Sequence, residues 1–404
     1  MNNEYLCRNL EVFTLQKRHA NMNKLKKLPI GIQDFAGLRE DGYLYVDKTR
    51  QMYDMVSSGK YYFLSRPRRF GKSLMLTTLK AYFEGKKELF DGLYVAGVEK
   101  EWLTYPILHL DLNAEEYDAR EKLESKLHTF LCKAEALYGS NDAEQTLATR
   151  FEGVIERAYR QTGRRVVILV DEYDKPMLHA IGKPELQDAF RGILKGFYGA
   201  LKSMDGCIQF AFLTGVTRFA KVSIFSDLNN LNDISMDRRF NDICGITHKE
   251  LLENFAGNID ELAEANDMTR EECIEKLRKR YDGYHFEETA EGVYNPFSVI
   301  KTFSFQKFGS FWFETGTPSY LVELLRRHDY NLEFMEHSSV EADILNSVDT
   351  EGVNPIPIIY QSGYLTIKGY NERLKRYILG FPNDETREAF VRHLVPYHLN
   401  HHAC

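Results

Sequence analysis

Four short apolar runs punctuate the chain between Leu28 and Ile246: Tyr61–Leu64, Ile107–Leu112, Val166–Val170 and Ile208–Leu213. Each has the length of a strand and lacks clean polar alternation, the pattern of strands buried on both faces of a parallel sheet. Longer stretches of helical periodicity lie between them, including Ser73–Phe83 and Ala119–Leu137. Strands alternating with helices predict an α/β sandwich over residues 26–246. The texture changes at Thr247, where Thr247-His248-Lys249-Glu250 reads as a capping box. The Glu-, Leu- and Lys-rich residues up to Arg280 then read as wholly helical, so 247–330 is expected to be a helical unit. The last patterned stretch, 331–390, is mixed. Ile356–Ser362 predicts a short helix closed by Gly363, and Tyr364–Tyr370 and Arg376–Phe381 predict a hairpin across Asn371–Lys375. A helix followed by a hairpin is compatible with a winged-helix-like module. Residues 1–25 are expected to be a flexible extension, with Met22 as an alternative start, and 391–404 a tail.

Composition narrows the class. With 404 residues and 43% hydrophobic positions, the chain can bury a large core and accommodate two or three domains. A net charge of -7 argues against a protein that coats nucleic acid with its whole surface, although a local basic groove is compatible with it. The scattered cysteines (Cys7, Cys132, Cys207, Cys244, Cys273, Cys404) form no CxxC pair and predict reduced thiols rather than a disulfide or zinc framework. No apolar run is long enough to span a bilayer, and Met1–Leu28 is polar and charged, unlike a signal peptide. The expected location is cytoplasmic.

Candidate chemistry begins at Arg66-Pro67-Arg68-Arg69-Phe70-Gly71-Lys72-Ser73, between a predicted strand and a predicted helix. That is the context of a phosphate-binding P-loop. Backbone N–H groups at a helix N-terminus attract phosphate oxygens. Arg68, Arg69, Phe70, Gly71, Lys72, Ser73 and Leu74 form the candidate nucleotide-binding set. Gly71 would permit close backbone approach, Lys72 would reach the β- and γ-phosphates, and Ser73 would offer a hydroxyl to Mg²⁺. The first glycine of GxxxxGK[ST] is replaced by Arg66, and Pro67 removes a donor. Taken alone, the loop is equally explained by a chance Gly-Lys-Ser beside a basic turn.

A second motif decides between these explanations. The apolar strand Val166–Val170 ends in Asp171-Glu172, the Walker B arrangement. Asp171 would hold Mg²⁺ together with Ser73, and Glu172 would polarise an attacking water. The run Ile208–Leu213 leads into Thr214-Gly215-Val216-Thr217-Arg218. In added-strand P-loop ATPases such a strand carries a polar sensor. Thr214 or Thr217 would fill that role and Arg218 would read phosphate, against the alternative of a glycine turn with a solvated arginine. Asp111 is a further candidate polar contact. Phe35, Tyr43 and Tyr45 are read as packing residues rather than base-stacking ones. Arg238 and Arg239 read as surface residues rather than an arginine finger across a subunit interface, although an oligomer is compatible with the sequence.

At this point the chain resembles the bacterial AAA-ATPase-like proteins. The resemblance rests on Leu28–Phe35, Tyr43–Thr49, Tyr61–Ser73, Val170–Pro176, Leu213–Arg218 and Asp227–Leu231, and later on Tyr281–Tyr284, Tyr294–Phe297, Gln361–Leu365 and Leu379–Asn383. It covers nearly all of Leu28–Phe390. It implies that Arg66 belongs to the family's own loop. It also implies an AAA-like or STAND-like core, a helical lid and a winged-helix-like end. Such proteins often carry a PD-(D/E)XK nuclease-like domain, which would begin near Phe390, whereas this sequence ends at Cys404. Glu124-Ser125-Lys126 lies in a helical pattern and reads as a solvated face. The expectation is therefore a chain without nuclease activity. The closing His398–Cys404 reads as tail rather than metal site.

The leading expectation is Mg²⁺-dependent ATP binding and hydrolysis that drives a conformational change in the lid and the C-terminal module. Two alternatives stay open. One is a STAND-like switch that binds ATP with little turnover, contacting a protein partner through the C-terminal module. The other is a DNA-binding factor using Lys368, Arg373, Lys375 and Arg376 of the hairpin.

Overall fold

The computed structural model describes residues 25–113, 115–218, 230–312, 321, 338–345 and 354–393. The extension before residue 25, the segment Asp227–Asn229 and the closing histidines lie outside the described residues. So do parts of the stretches 247–330 and 331–390.

The first five strands are β1 Tyr61–Ser65, β2 Ile107–Asp111, β3 Val166–Asp171, β4 Ile208–Gly215 and the two-residue β5 Asn232–Asp233. They make one parallel sheet in the order β2-β3-β4-β1-β5. The apolar runs of β1, β3 and β4 form strands buried on both faces, which leaves few positions for polar side chains. The run Ile107–Leu112, expected to do the same, is instead an edge strand that alternates buried Leu108 and Leu110 with half-buried Ile107 and His109. Every residue of β1 and β3 is buried. The period of two divides them between two cores: Tyr61, Phe63, Val166, Ile168 and Val170 face one side, and Tyr62, Leu64, Val167 and Leu169 the other. The helix α1 (Lys72–Phe83) covers the second side through Met75, Leu76 and Leu79. Helices α2 (Arg120–Tyr138), α3 (Leu147–Thr162) and α4 (Pro184–Ser203) cover the first. Spatially, β4 lies between β1 and β3, which is the added-strand arrangement expected from the sequence.

The stretch expected to be wholly helical is three helices, α5 His248–Asn254, α6 Ala256–Ala265 and α7 Arg270–Tyr281. The expected capping box at Thr247 and Glu250 is present. A second box, Thr269 with Glu272, starts α7 and explains the break, because it supplies the donors a new helix start needs. The helix α8 (Pro296–Phe305) completes this unit, whose core holds Leu251, Phe255, Ile259, Leu277 and Phe303. A two-strand ribbon of β6 (Ile246–Thr247) and β7 (Val293–Tyr294) sets the starts of α5 and α8 side by side, and the Gly245 N–H just before it donates to the Phe70 carbonyl at 3.1 Å.

The C-terminal stretch contains β8 (Ser339–Glu341), the short helix α9 (Ile356–Gln361), β9 (Thr366–Asn371) and β10 (Arg376–Gly380), followed by α10 (Asp384–His393). The strands form an antiparallel sheet in the order β8-β10-β9. Gly363, with φ of +91°, closes α9 as its spacing predicted. All six residues of α9 are buried, and its core is continuous with the α2–α4 side of the parallel sheet.

Candidate functional site

The loop between β1 and α1 passes through two left-handed residues, Arg69 (φ +69°) and Gly71 (φ +97°). At Gly71 a side chain would meet open space, so conformation rather than room requires glycine there. The helical ladder begins with Met75 N–H to the Gly71 carbonyl. The N–H groups of Lys72, Ser73 and Leu74 therefore stand outside the ladder, at the positive end of the helix dipole. Together these features make a concave set of donors suited to an anion.

Beside this loop lies a cleft of about 320 Å³. Arg68, Arg69, Gly71, Lys72, Ser73 and Leu74 line one wall, Glu172 and Lys175 another, and Pro296 and Phe297 of α8 a third. The Lys72 side chain is buried, and its ammonium lies 3.2 Å from Glu172 Oε1. It also donates to the carbonyls of Arg66 (3.1 Å) and Pro67 (3.3 Å). Phe70 does not join this lining. It is buried edge-on against Tyr284 and Phe286.

Asp171 ends β3 and is buried. Glu172 follows in the left-handed region, with φ of +53°. Such a conformation is costly for a side chain with a Cβ, and here it turns the carboxylate toward Lys72. Two buried bonds hold this turn: Tyr173 N–H donates to the Thr214 carbonyl (2.9 Å), and Tyr173 Oη donates to the Thr217 carbonyl (3.0 Å). Asp174, fully buried, accepts from Val216 N–H (3.1 Å) and from both the N–H and the hydroxyl of Thr217 (2.6 Å each). Burial, reinforced by the charge of Glu172, pushes the Asp174 carboxyl above its ordinary range.

Four sequence-predicted residues take other positions. Thr214 is buried behind Asp171 and donates its hydroxyl to Asp171 Oδ1 at 2.5 Å. It orients the acid instead of facing the cleft, because β4 packs directly beside β3. Arg218, expected to read phosphate, is paired with Asp233 of β5, with Nε to Oδ2 at 2.7 Å. That carboxylate draws it to a small cavity behind the loop, shared with Arg66 and Gln361. Thr217 serves Asp174, and Asp111 caps its own turn by accepting from Asn113 N–H (2.7 Å). Arg239 pairs with Asp237 at the surface. Phe35 packs against Tyr45 and Phe90, as a packing residue should. Glu124 pairs with Arg120 on the exposed face of α2.

The structure also accounts for the missing glycine. The Arg66 side chain turns inward and is buried. Its guanidinium donates to the carbonyls of Ser65 (2.9 Å), Ser235 (2.7 Å), Phe240 (2.9 Å) and Asn241 (3.3 Å) and lies over the Phe286 ring at 3.9 Å. Burial lowers its pKa to about 10, so it stays charged at neutral pH.

Sequence reasoning missed Lys175, Pro296 and Phe297 in the cleft. Lys175 donates to the Asn113 side-chain carbonyl at 3.0 Å, and burial lowers its pKa. Its place three residues after Glu172 was the available signal. Pro296 and Phe297 stood out only as part of the resembling segment Tyr294–Phe297, and only the fold brings them to the loop. Among the described residues, no group of three or more His, Cys, Asp or Glu is placed to hold a metal, and no helix is long and apolar enough to cross a membrane.

Residues 29–225 match the family described as Predicted AAA-ATPase. A relative described as an uncharacterized protein in the vnfD 5' region of Azotobacter chroococcum mcd 1 is 38% identical over 374 residues, covering 92% of this chain and 70% of the relative. The solved structure of the Aeropyrum pernix ORC2 protein, in ADPNP–ADP complexes, is a distant likeness: it covers 88% of this chain and 93% of that one at 11% identity, with a TM-score of 0.31. With the family match over residues 29–225 and the Azotobacter relative at 38% identity, the chain belongs to the AAA-ATPase-like family.

Proposed function

We propose that the cleft binds the triphosphate of ATP with Mg²⁺, and that hydrolysis drives rearrangement of the helical unit 247–330 and the C-terminal unit 331–390 against the core 26–246. One observation carries this reading: Lys72, at the start of α1, lies 3.2 Å from Glu172 on a different strand end, across a cleft lined by loop donors. Lys72 rests on two loop carbonyls and one carboxylate. Phosphate oxygens would compete with these acceptors for the Lys72 N–H donors through charge-assisted bonds. An adjoining apolar cavity of about 90 Å³, lined by Tyr45, Ile246 and Phe255 and sharing Gly71, Leu74 and Pro296 with the cleft, suits a nucleobase.

The hydroxyl of Ser73 and the carboxylate of Asp171 are hard oxygen donors of the kind Mg²⁺ takes, one or two at a time, alongside phosphate oxygens and water. When bound, the ion supplies neutralisation of phosphate charge. The chain's own residues do the rest: Thr214 aims Asp171, the left-handed turn aims Glu172, and Glu172 orients and deprotonates water once freed from Lys72.

Steady-state phosphate release tests this. Glu172→Gln should retain ATP binding and lose turnover about 100-fold or more. Lys72→Ala should weaken binding about 10- to 100-fold, the cost of removing charge-assisted bonds. Native protein that binds no ATP would overturn the reading.

The Lys72–Glu172 pair favours a second reading, a slow switch, because the carboxylate that would take the water's proton is engaged with the lysine. Tight binding without measurable turnover would select it. The DNA-binding alternative is disfavoured. The sheet order β8-β10-β9 with α9 before the hairpin supports a winged-helix-like module, but the helix that would enter a groove is buried against the core.

A further inference from the structure

The front of the phosphate loop faces the cleft. Its back is packed by residues far away in sequence. The indole Nε1 of Trp312 donates to the Arg68 carbonyl at 3.2 Å. Gly363, just after α9, approaches Pro67 so closely that a Cβ there would sit 2.7 Å from Pro67 Cβ and 3.2 Å from the Trp312 ring. Tyr364 packs on Trp312 at 5.3 Å between centroids. The Gln361 side-chain carbonyl accepts the Arg218 N–H at 2.6 Å, at the end of β4. Trp312 is itself held. Its N–H (3.1 Å) and that of Phe311 (2.7 Å) donate to Glu385 Oε1 at the start of α10. Glu385 Oε2 accepts the Ser298 hydroxyl of α8 at 2.8 Å, and both residues are fully buried. Since α8 begins with Pro296 at the cleft, this chain of contacts runs from the back of the loop to the wall opposite its front.

We propose that the C-terminal sheet unit, together with Trp312 held against it by Glu385, is an interlock on the phosphate loop, so that ATP binding at the front and docking of Trp312 and Gly363 at the back are thermodynamically linked. This rests on the reading of the cleft as an ATP site. The physical reason is the loop's conformation. Arg69 holds a left-handed backbone angle, which a residue with a Cβ keeps only where its surroundings impose it, and the Arg68 carbonyl between Pro67 and Arg69 is held by Trp312. Any ligand that needs the loop in this shape favours the docked unit, and undocking lowers affinity by the same factor.

The experiment uses the full chain in a Trp102→Phe background. This leaves Trp312 as the lone indole and removes an indole N–H that is buried without a partner. Titration with MgATP should shift Trp312 emission with the same midpoint as a fluorescent-nucleotide measurement. ATP should also slow amide exchange across Thr366–Gly380 in the native chain. Gly363→Ala, whose Cβ collides with Pro67, should weaken ATP binding about 5- to 150-fold, the usual range of such couplings. ATP binding that depends on Lys72, with Trp312 emission and exchange over Thr366–Gly380 both unchanged, would overturn the interlock while leaving the ATP site intact. If Gly363→Ala does not fold, the emission and exchange arms decide. No ATP binding by the native chain overturns the site reading, and the interlock with it.

Discussion

Arg66 shows how a motif position changes meaning with its surroundings. Restoring the motif with Arg66→Gly would remove a guanidinium that bonds four carbonyls in a buried site. Leaving buried acceptors unpaired should cost about 3 kcal/mol or more. Denaturant unfolding checks this, and a variant as stable as the native chain would contradict it. Thr214 makes a second test. Thr214→Val keeps the shape and deletes the donor to Asp171 Oδ1. If Asp171 holds Mg²⁺, the concentration of Mg²⁺ needed for half-maximal ATP binding should rise about tenfold, the equivalent of one hydrogen bond to a charged group. An unchanged Mg²⁺ dependence would detach Thr214 from the site.

At the level of elements, the ends of β3 and β4 act as one piece because Asp174 joins them. Asp174→Asn can keep an oxygen for Thr217 only by setting its N–H₂ at the Oδ1 position against the Val216 N–H, and it loses the charge that strengthens the other bonds. The loss should be about 2 kcal/mol, with Glu172 released from its left-handed turn. Thermal unfolding measures the first effect and phosphate release the second. The helical unit has its own fastening: the Lys48 ammonium lies 2.6 Å from Glu250 Oε2, the carboxylate that also accepts the Thr247 N–H at the start of α5. A capping residue thus doubles as the tie between α5 and the segment before β1.

For the whole molecule, Glu385 provides a pH signature. Burial raises its carboxyl from the ordinary range to about 7, against the opposing effect of its three donors. A carboxyl that binds its proton more tightly in the folded than in the unfolded state favours folding at low pH. That contribution is lost as pH rises from about 4.5 to about 7. Glu385→Gln keeps an oxygen for Phe311 and Trp312 and cannot ionise, so its stability should fall less across this window than that of the native chain. Thermal midpoints of the two proteins between pH 4.5 and 7.5 give the comparison, and parallel curves would remove Glu385 as the source. Asp174 has the same sign, and both proteins carry it, so it cancels.

Much of this was legible in local pattern. Strand-length apolar runs separated by helical stretches suit strands buried in a parallel sheet, so that sheet was legible in the residues, as were the capping box at Thr247 and the hairpin closing on Lys375, whose φ is +52°. The loop with Lys72 and Ser73, and the acids Asp171 and Glu172, were legible for the same reason: their chemistry depends on neighbours along the chain. The remainder depends on which strands are neighbours in space. Only the insertion of β4 between β1 and β3 turned Thr214 into a partner of Asp171, and only the edge strand β5 drew Arg218 to Asp233. No periodicity links Arg68 to Trp312, 244 positions apart. Short-range order in the sequence determined the sheet and the candidate phosphate loop. The tertiary structure alone decided what stands behind that loop, because contacts between distant segments leave no local signature in either segment.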